Sequence, residues 1–196
     1  MKRMITVSFV VLMFSVPVFA QGGLIGLFID VWGENCCIED IDDKNFRIIE
    51  VQVVHKFAPA ASASQFTIQA SDGFTGAYLG EEIPASMPAG GFFGNSQRGI
   101  AIGYGECYDT NVHILTIRYF LYGTSAPMSY LEVVEYPGVY PTPGIFMVDC
   151  SNPADPLLLP AAGGRAYINS DGSVTCTDIT PTQNTTWGGI KALYAE

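Results

Sequence analysis

Phe46–Lys56 reads FRIIEVQVVHK, and its alternation decides the fold class. Ile49, Val51 and Val53 fall on one side of an extended chain, Glu50 and Gln52 on the other. Successive side chains of a strand point to opposite faces, so this period of two predicts a half-buried strand. Ser64–Ala70 (SQFTIQA) repeats the pattern with Phe66 and Ile68. The turn sequence SDGFTG at 71–76 follows it, with Ala77–Leu79 as a short strand beyond.

Working outward, further short apolar runs are separated by Gly, Pro and Asn. Leu24–Val31 (LIGLFIDV) predicts a strand too continuously apolar to leave one face in water. Gly99–Gly105, His113–Tyr122, Tyr130–Glu135 and Ile145–Val148 predict four more strands. Ala166–Ile168 and Val174–Cys176 flank Asn169–Ser173, which fits a hairpin turn. Between Gly80 and Arg98 lies a Gly-, Pro- and Ala-rich stretch around Phe92 and Phe93. It reads as a long loop, either functional or tucked onto the core. The tail 187–196 reads as a last strand or a short helix. Eight to ten short strands at this spacing predict one all-β domain, an antiparallel β-sandwich, over residues 21–196. Uneven strand lengths and long Pro-rich connections favour a sandwich over an up-and-down barrel.

The first twenty residues differ in kind. Lys2-Arg3 precede an apolar run from Ile5 to Val18, which ends in Val18-Phe19-Ala20. The run is too short for a bilayer span of about 20 residues, and its end suits signal peptidase. Residues 1–20 therefore read as a cleavable signal peptide, and the chain as secreted or periplasmic. The leader holds two of the nine basic residues and no acidic one, so the exported domain is more negative than the −10 of the whole chain. Such a charge repels nucleic acid and anionic lipid. With 48% hydrophobic and 14% charged residues the chain is not of disordered composition.

Five cysteines follow the leader: Cys36, Cys37, Cys107, Cys150 and Cys176. An oxidising compartment predicts two disulfides and one cysteine left over. Cys150 and Cys176 edge strands that the intervening turn could bring alongside, which makes them the preferred pair. Cys107 then takes Cys36 or Cys37. No CxxC or Cys/His spacing supports zinc. Glu39, Asp40, Asp42, Asp43 and Asn45 offer oxygen atoms suited to calcium. Lys44 stands where another oxygen is wanted, however, and no glycine provides the turn, so a solvated acidic loop is the preferred reading and no cofactor is implied.

Catalytic patterns are thin. His55 and His113 are the only histidines, and both fall in predicted strands. No Gly-x-Ser-x-Gly, HExxH or Walker pattern occurs, and the glycine spacing of Gly94-Asn-Ser-Gln-Arg-Gly99 is wrong for a nucleophile turn. Exposed ring faces at sandwich rims stack on sugars. Tyr104, Tyr108, Tyr136 and Tyr140, in or near predicted loops, are the candidate ligand contacts.

Gly23–Asp30 with a cysteine soon after, Val51–His55, Ala63–Ile68, Val148-Asp-Cys150, Gly163-Gly164, Ile168-Asn169 and Cys176 together carry a likeness. In these pieces the chain resembles a loose group of uncharacterised secreted bacterial proteins. The resemblance implies an immunoglobulin-like sandwich with paired cysteines and brings no catalytic residue. The doubled Cys36-Cys37 departs from a single cysteine in that group.

These readings converge on a non-catalytic secreted or cell-surface binding module for carbohydrate or a surface protein. A self-assembling fibre or surface-layer subunit is the alternative, resting on the apolar Leu24–Val31 strand and the odd cysteine. A secreted hydrolase acting through loop carboxylates is the second alternative.

Overall fold

The computed structural model describes residues 22–39, 46–87, 90–138, 143–174 and 176. The described chain forms thirteen strands: β1 (Leu24–Phe28), β2 (Cys37–Ile38), β3 (Arg47–Lys56), β4 (Ala61–Ala70), β5 (Gly76–Glu82), β6 (Gly91–Asn95), β7 (Gly99–Tyr108), β8 (Val112–Leu121), β9 (Ser129–Val134), β10 (Phe146–Asp149), β11 (Leu157–Pro160), β12 (Ala162–Gly163) and β13 (Arg165–Ile168). The first sheet runs β12-β1-β3-β8-β5. The second runs β11-β10-β4-β9-β13-β2, with β7 also on β4 and β6 on β7. The expected all-β sandwich is the fold.

Its core is what the alternation dictates. Val51 and Val53 of β3 and Leu115 and Ile117 of β8 face inward and are fully buried. Phe66, Ile100, Leu131 and Met147 meet them from the second sheet, also fully buried. The two histidine-free faces of β4 differ: Phe66 and Ile68 are core, while Ala63 faces outward and stays half-buried.

β1 is buried along its whole length, as its continuous apolarity requires. It pairs with β3 on one edge and β12 on the other. The strand is shorter than the apolar run because Asp30 ends it. Its carboxylate accepts N–H bonds from Trp32, Glu34 and Asn35, turning the chain. β12 covers the second edge only at Leu24 and Ile25, so the start of β1 is not free to complete a neighbour's sheet.

Three other expectations change. The stretch from Gly80 to Arg98 is no long loop: β5 extends into it and β6 forms a hairpin with β7. The hairpin turns at Asn95, whose side-chain oxygen accepts the N–H groups of Gln97 and Arg98. Asn169–Ser173 is not a hairpin, because β13 pairs with β9 and β2 and no strand follows it among the described residues. The tail 187–196 and Tyr140 lie outside the described residues, as do residues 1–20, Asp40, Asp42, Asp43 and Asn45.

The cysteine pairing also differs from the expected one. Cys36 bonds Cys176, and Cys107 bonds Cys150, leaving Cys37 free. Nearness in sequence misled because three strands, β4, β9 and β13, lie between β10 and β2 in the second sheet. Cys150 follows β10 and Cys107 lies near the end of β7. Both of those strands pair with the start of β4, at Ala61.

One crossing between the sheets is especially tight. β12 pairs with β1 in the first sheet, and two residues later β13 pairs with β9 in the second. Gly164 N–H donates to Ile25 O while Gly164 O accepts from Val133 N–H, so one residue is bonded to both sheets. A Cβ on the adjacent Gly163 would collide with the Val133 carbonyl oxygen. Gly163→Ala is therefore expected to cost about 2–3 kcal/mol, read as a lower urea midpoint with an unchanged slope; wild-type stability would contradict the close crossing. Replacing Cys107 and Cys150 by alanine opens a loop spanning 43 positions. The expected loss is about 4 kcal/mol in the chain-entropy model, measured by the same denaturation.

Candidate binding surface

The register of the second sheet places one residue from each of five adjacent strands in outward-facing rows. One row runs Phe93 (β6), Ala101 (β7), Gln65 (β4), Phe146 (β10) and Pro160 (β11). The next runs Gly91, Gly103, Ala63, Val148 and Leu158 on the same strands. The alternate row between them, holding Ser64, Ile102 and Met147, points into the core and is buried.

These rows break the rule that the solvent face of an antiparallel sheet is polar. Nine of the ten positions are apolar or glycine. The tenth, Gln65, is only 4% exposed, and its amide donates to Gly144 O. Small residues at 63, 101 and 103 form a floor, and Phe146, Val148 and Leu158 rise at one side. The result is a trough of 200 Å³. Beyond its other side stands Phe93, 79% exposed, on the sheet's edge. Contiguous exposed apolar surface of this kind marks an interaction site.

The outer face of the first sheet is built differently. There Arg118 bonds Glu50 at 3.0 Å and Glu82 at 2.8 Å across three strands. Phe46 stacks on Phe120 with ring centroids 5.8 Å apart, beside exposed Ile48. Near β1 this face is capped by a small second core of Phe28, Cys36 and Val54. A larger, open cleft of 540 Å³ lies between the β4–β5 turn and the β8–β9 connection, lined by polar groups that include Gln69, Ser71, Asp72 and Glu132.

The tyrosines marked as sugar contacts fall elsewhere. Tyr104 is fully buried in the core and cannot stack on a ligand, which corrects its placing. It lies on an inward position of β7, where the flanking Gly103 and Gly105 made the segment look like a loop. Tyr108 is half-buried and packs edge-on against Tyr104, with centroids 6.2 Å apart. Tyr136 is half-buried and its ring closes over Gly99. Tyr104, Tyr108 and Tyr136 form no common exposed platform. The trough escaped sequence reading because its residues are far apart in the chain and only the register unites them.

Comparison with known proteins adds fold likeness alone. No protein-family model matches this sequence, and no curated protein sequence matches it. Among solved structures it is similar to a cohesin module of a family 33 glycoside hydrolase from Clostridium perfringens. That match has 6% identity and a TM-score of 0.46, over 76% of this chain and 99% of that one. The OlpA cohesin of Clostridium thermocellum, solved with a dockerin, matches at 16% identity and TM-score 0.44, over 73% and 99%. The sixth cohesin of Acetivibrio cellulolyticus scaffoldin B, also solved with a dockerin, matches at 14% and 0.42, over 75% and 99%. At such scores the likeness carries no residue correspondence and no partner.

Both histidines are engaged. His55 Nδ1 lies 2.9 Å from the Tyr104 hydroxyl, and Nε2 lies 2.6 Å from Gly22 O. Burial holds the His55 pKa below its ordinary value, because the core disfavours the imidazolium. His113, half-buried beside Leu115 O and Thr116, shifts the same way for the same reason. Above the ordinary value of 6.5 both folded and unfolded chains hold neutral imidazoles. Below it only the unfolded chain takes up protons, so stability falls as pH falls. Denaturation midpoints measured from pH 7.5 to 5 are expected to decline through this window, and His55→Gln is expected to flatten the decline. A slope unchanged by that substitution would show that His55 does not carry it.

Proposed function

We propose that this chain is an exported, non-catalytic binding module that engages a protein partner through the outer trough of its second sheet. The observation that carries the reading is the outward pair of rows, apolar across five strands where water-facing residues belong. A sugar would need hydrogen-bond partners for its hydroxyls, since unpaired polar groups are costly to bury. Among the described outward positions of the two rows the one polar side chain, Gln65, is already engaged and hidden. Apolar side chains of a protein partner lose no such bonds, and burying them gains about 25 cal/mol per Å². Export rests on the leader at 1–20, and the acidic charge sets nucleic acid aside. Among the described residues no helix is long and apolar enough to cross a membrane.

The test is affinity. Proteins captured on residues 21–196 from the secreted and surface fraction of the producing cell are identified and titrated against variants. Ala101→Arg and Val148→Asp, which place charge in the trough, are expected to weaken binding more than tenfold with little change in melting temperature. Glu50→Ala and Phe46→Ala, on the other sheet, are expected to leave affinity unchanged. The opposite ranking would overturn the site. Glycan binding abolished by the trough substitutions would replace the protein partner with a carbohydrate. Loss of self-association in light scattering would replace it with a second copy of the chain.

A further inference from the structure

Cys37, the free cysteine, does not stand alone. Its Sγ and those of the bonded pair Cys36 and Cys176 all lie within 4.8 Å of one another. Cys36 is fully buried against Phe28 and Val54, whereas Cys37 is half-buried. β2 is held to β13 through the pairs Tyr167–Cys37 and Ile168–Ile38, and Tyr167 N–H bonds Cys36 O, so both neighbouring cysteines are fixed in place. Cys176 Sγ accepts the Cys36 N–H at 2.6 Å, which holds the shared sulfur beside both.

We infer that Cys37 is the nucleophile of a thiol–disulfide exchange centre in which the bond from Cys176 passes reversibly between Cys36 and Cys37. A thiolate attacks one sulfur of a disulfide and displaces the other. Here Cys37 Sγ, having released its proton to solvent, attacks Cys176 Sγ. The Cys37–Cys176 bond forms, the Cys36–Cys176 bond breaks, and Cys36 leaves as a thiolate that takes up a proton. One disulfide and one thiol exist before and after, so no oxidant or reductant is consumed. Attack on Cys36 instead would close a ring between adjacent residues, which the extended β2 opposes. The two isomers differ in what they show to water. In one the free thiol sits at the half-buried position 37; in the other it sits at position 36, in the apolar pocket where an uncharged thiol is well accommodated. The exchange therefore exposes or hides the protein's spare thiol without opening the fold.

Thiol titration of the full chain, in denaturant after purification from an oxidising compartment, tests this. Cys36→Ala is expected to contain no free thiol, because Cys37 takes over the bond to Cys176. A titre of two thiols would overturn the inference. A second measurement uses the wild-type chain and does not depend on that variant folding. The protein is held at pH 8, quenched in acid, alkylated in denaturant with N-ethylmaleimide, and the label is located by fragment mass spectrometry. Label on both Cys36 and Cys37 is expected; label on Cys37 alone would overturn it.

Discussion

Four ten-residue strands, β3, β4, β7 and β8, set the terms for the rest of the molecule. Each sends alternate residues into one apolar layer, and the layer closes only if both sheets keep their register. A slip of one residue would turn every core side chain toward water. That constraint fixes the outward rows as firmly as the inward ones. The trough on the second sheet is thus held by the same pairing that builds the core, which gives it the rigidity a recognition surface needs.

The remaining devices serve that pairing. The step from β12 to β13 links the sheets through Gly163 and Gly164, and at Gly163 a side chain would collide with Val133. Cys107–Cys150 joins the strands flanking β4 at its start, and Cys36–Cys176 ties the last described residue to the segment that follows β1. The buried His55–Tyr104 contact joins β3 to β7 within the core.

Much of the fold was legible because period two is a local signal. FRIIEVQVVHK announced β3 within one residue of its observed start, and the buried β1 followed from unbroken apolarity. β6 was not legible, since glycine-rich GFFGN carries no alternation and is a strand only because β7 supplies its partner. Glycine misled again at Tyr104. The disulfide map could not be read from spacing, because β11 to β13 carry the chain across the sheet between Cys150 and Cys176. The trough was the least visible feature: Ala63, Ala101 and Val148 are ordinary residues until the register sets them side by side.

Binding on that outward face would cover its side chains and leave the other sheet open. Carbene footprinting of the chain alone and with its captured partner reads side-chain cover directly. Strong protection is expected at Phe93, Phe146 and Leu158, with Phe46 and Ile48 labelled equally in both states. Protection centred on Phe46, Ile48 and Phe120, with Phe93 still fully labelled, would contradict it.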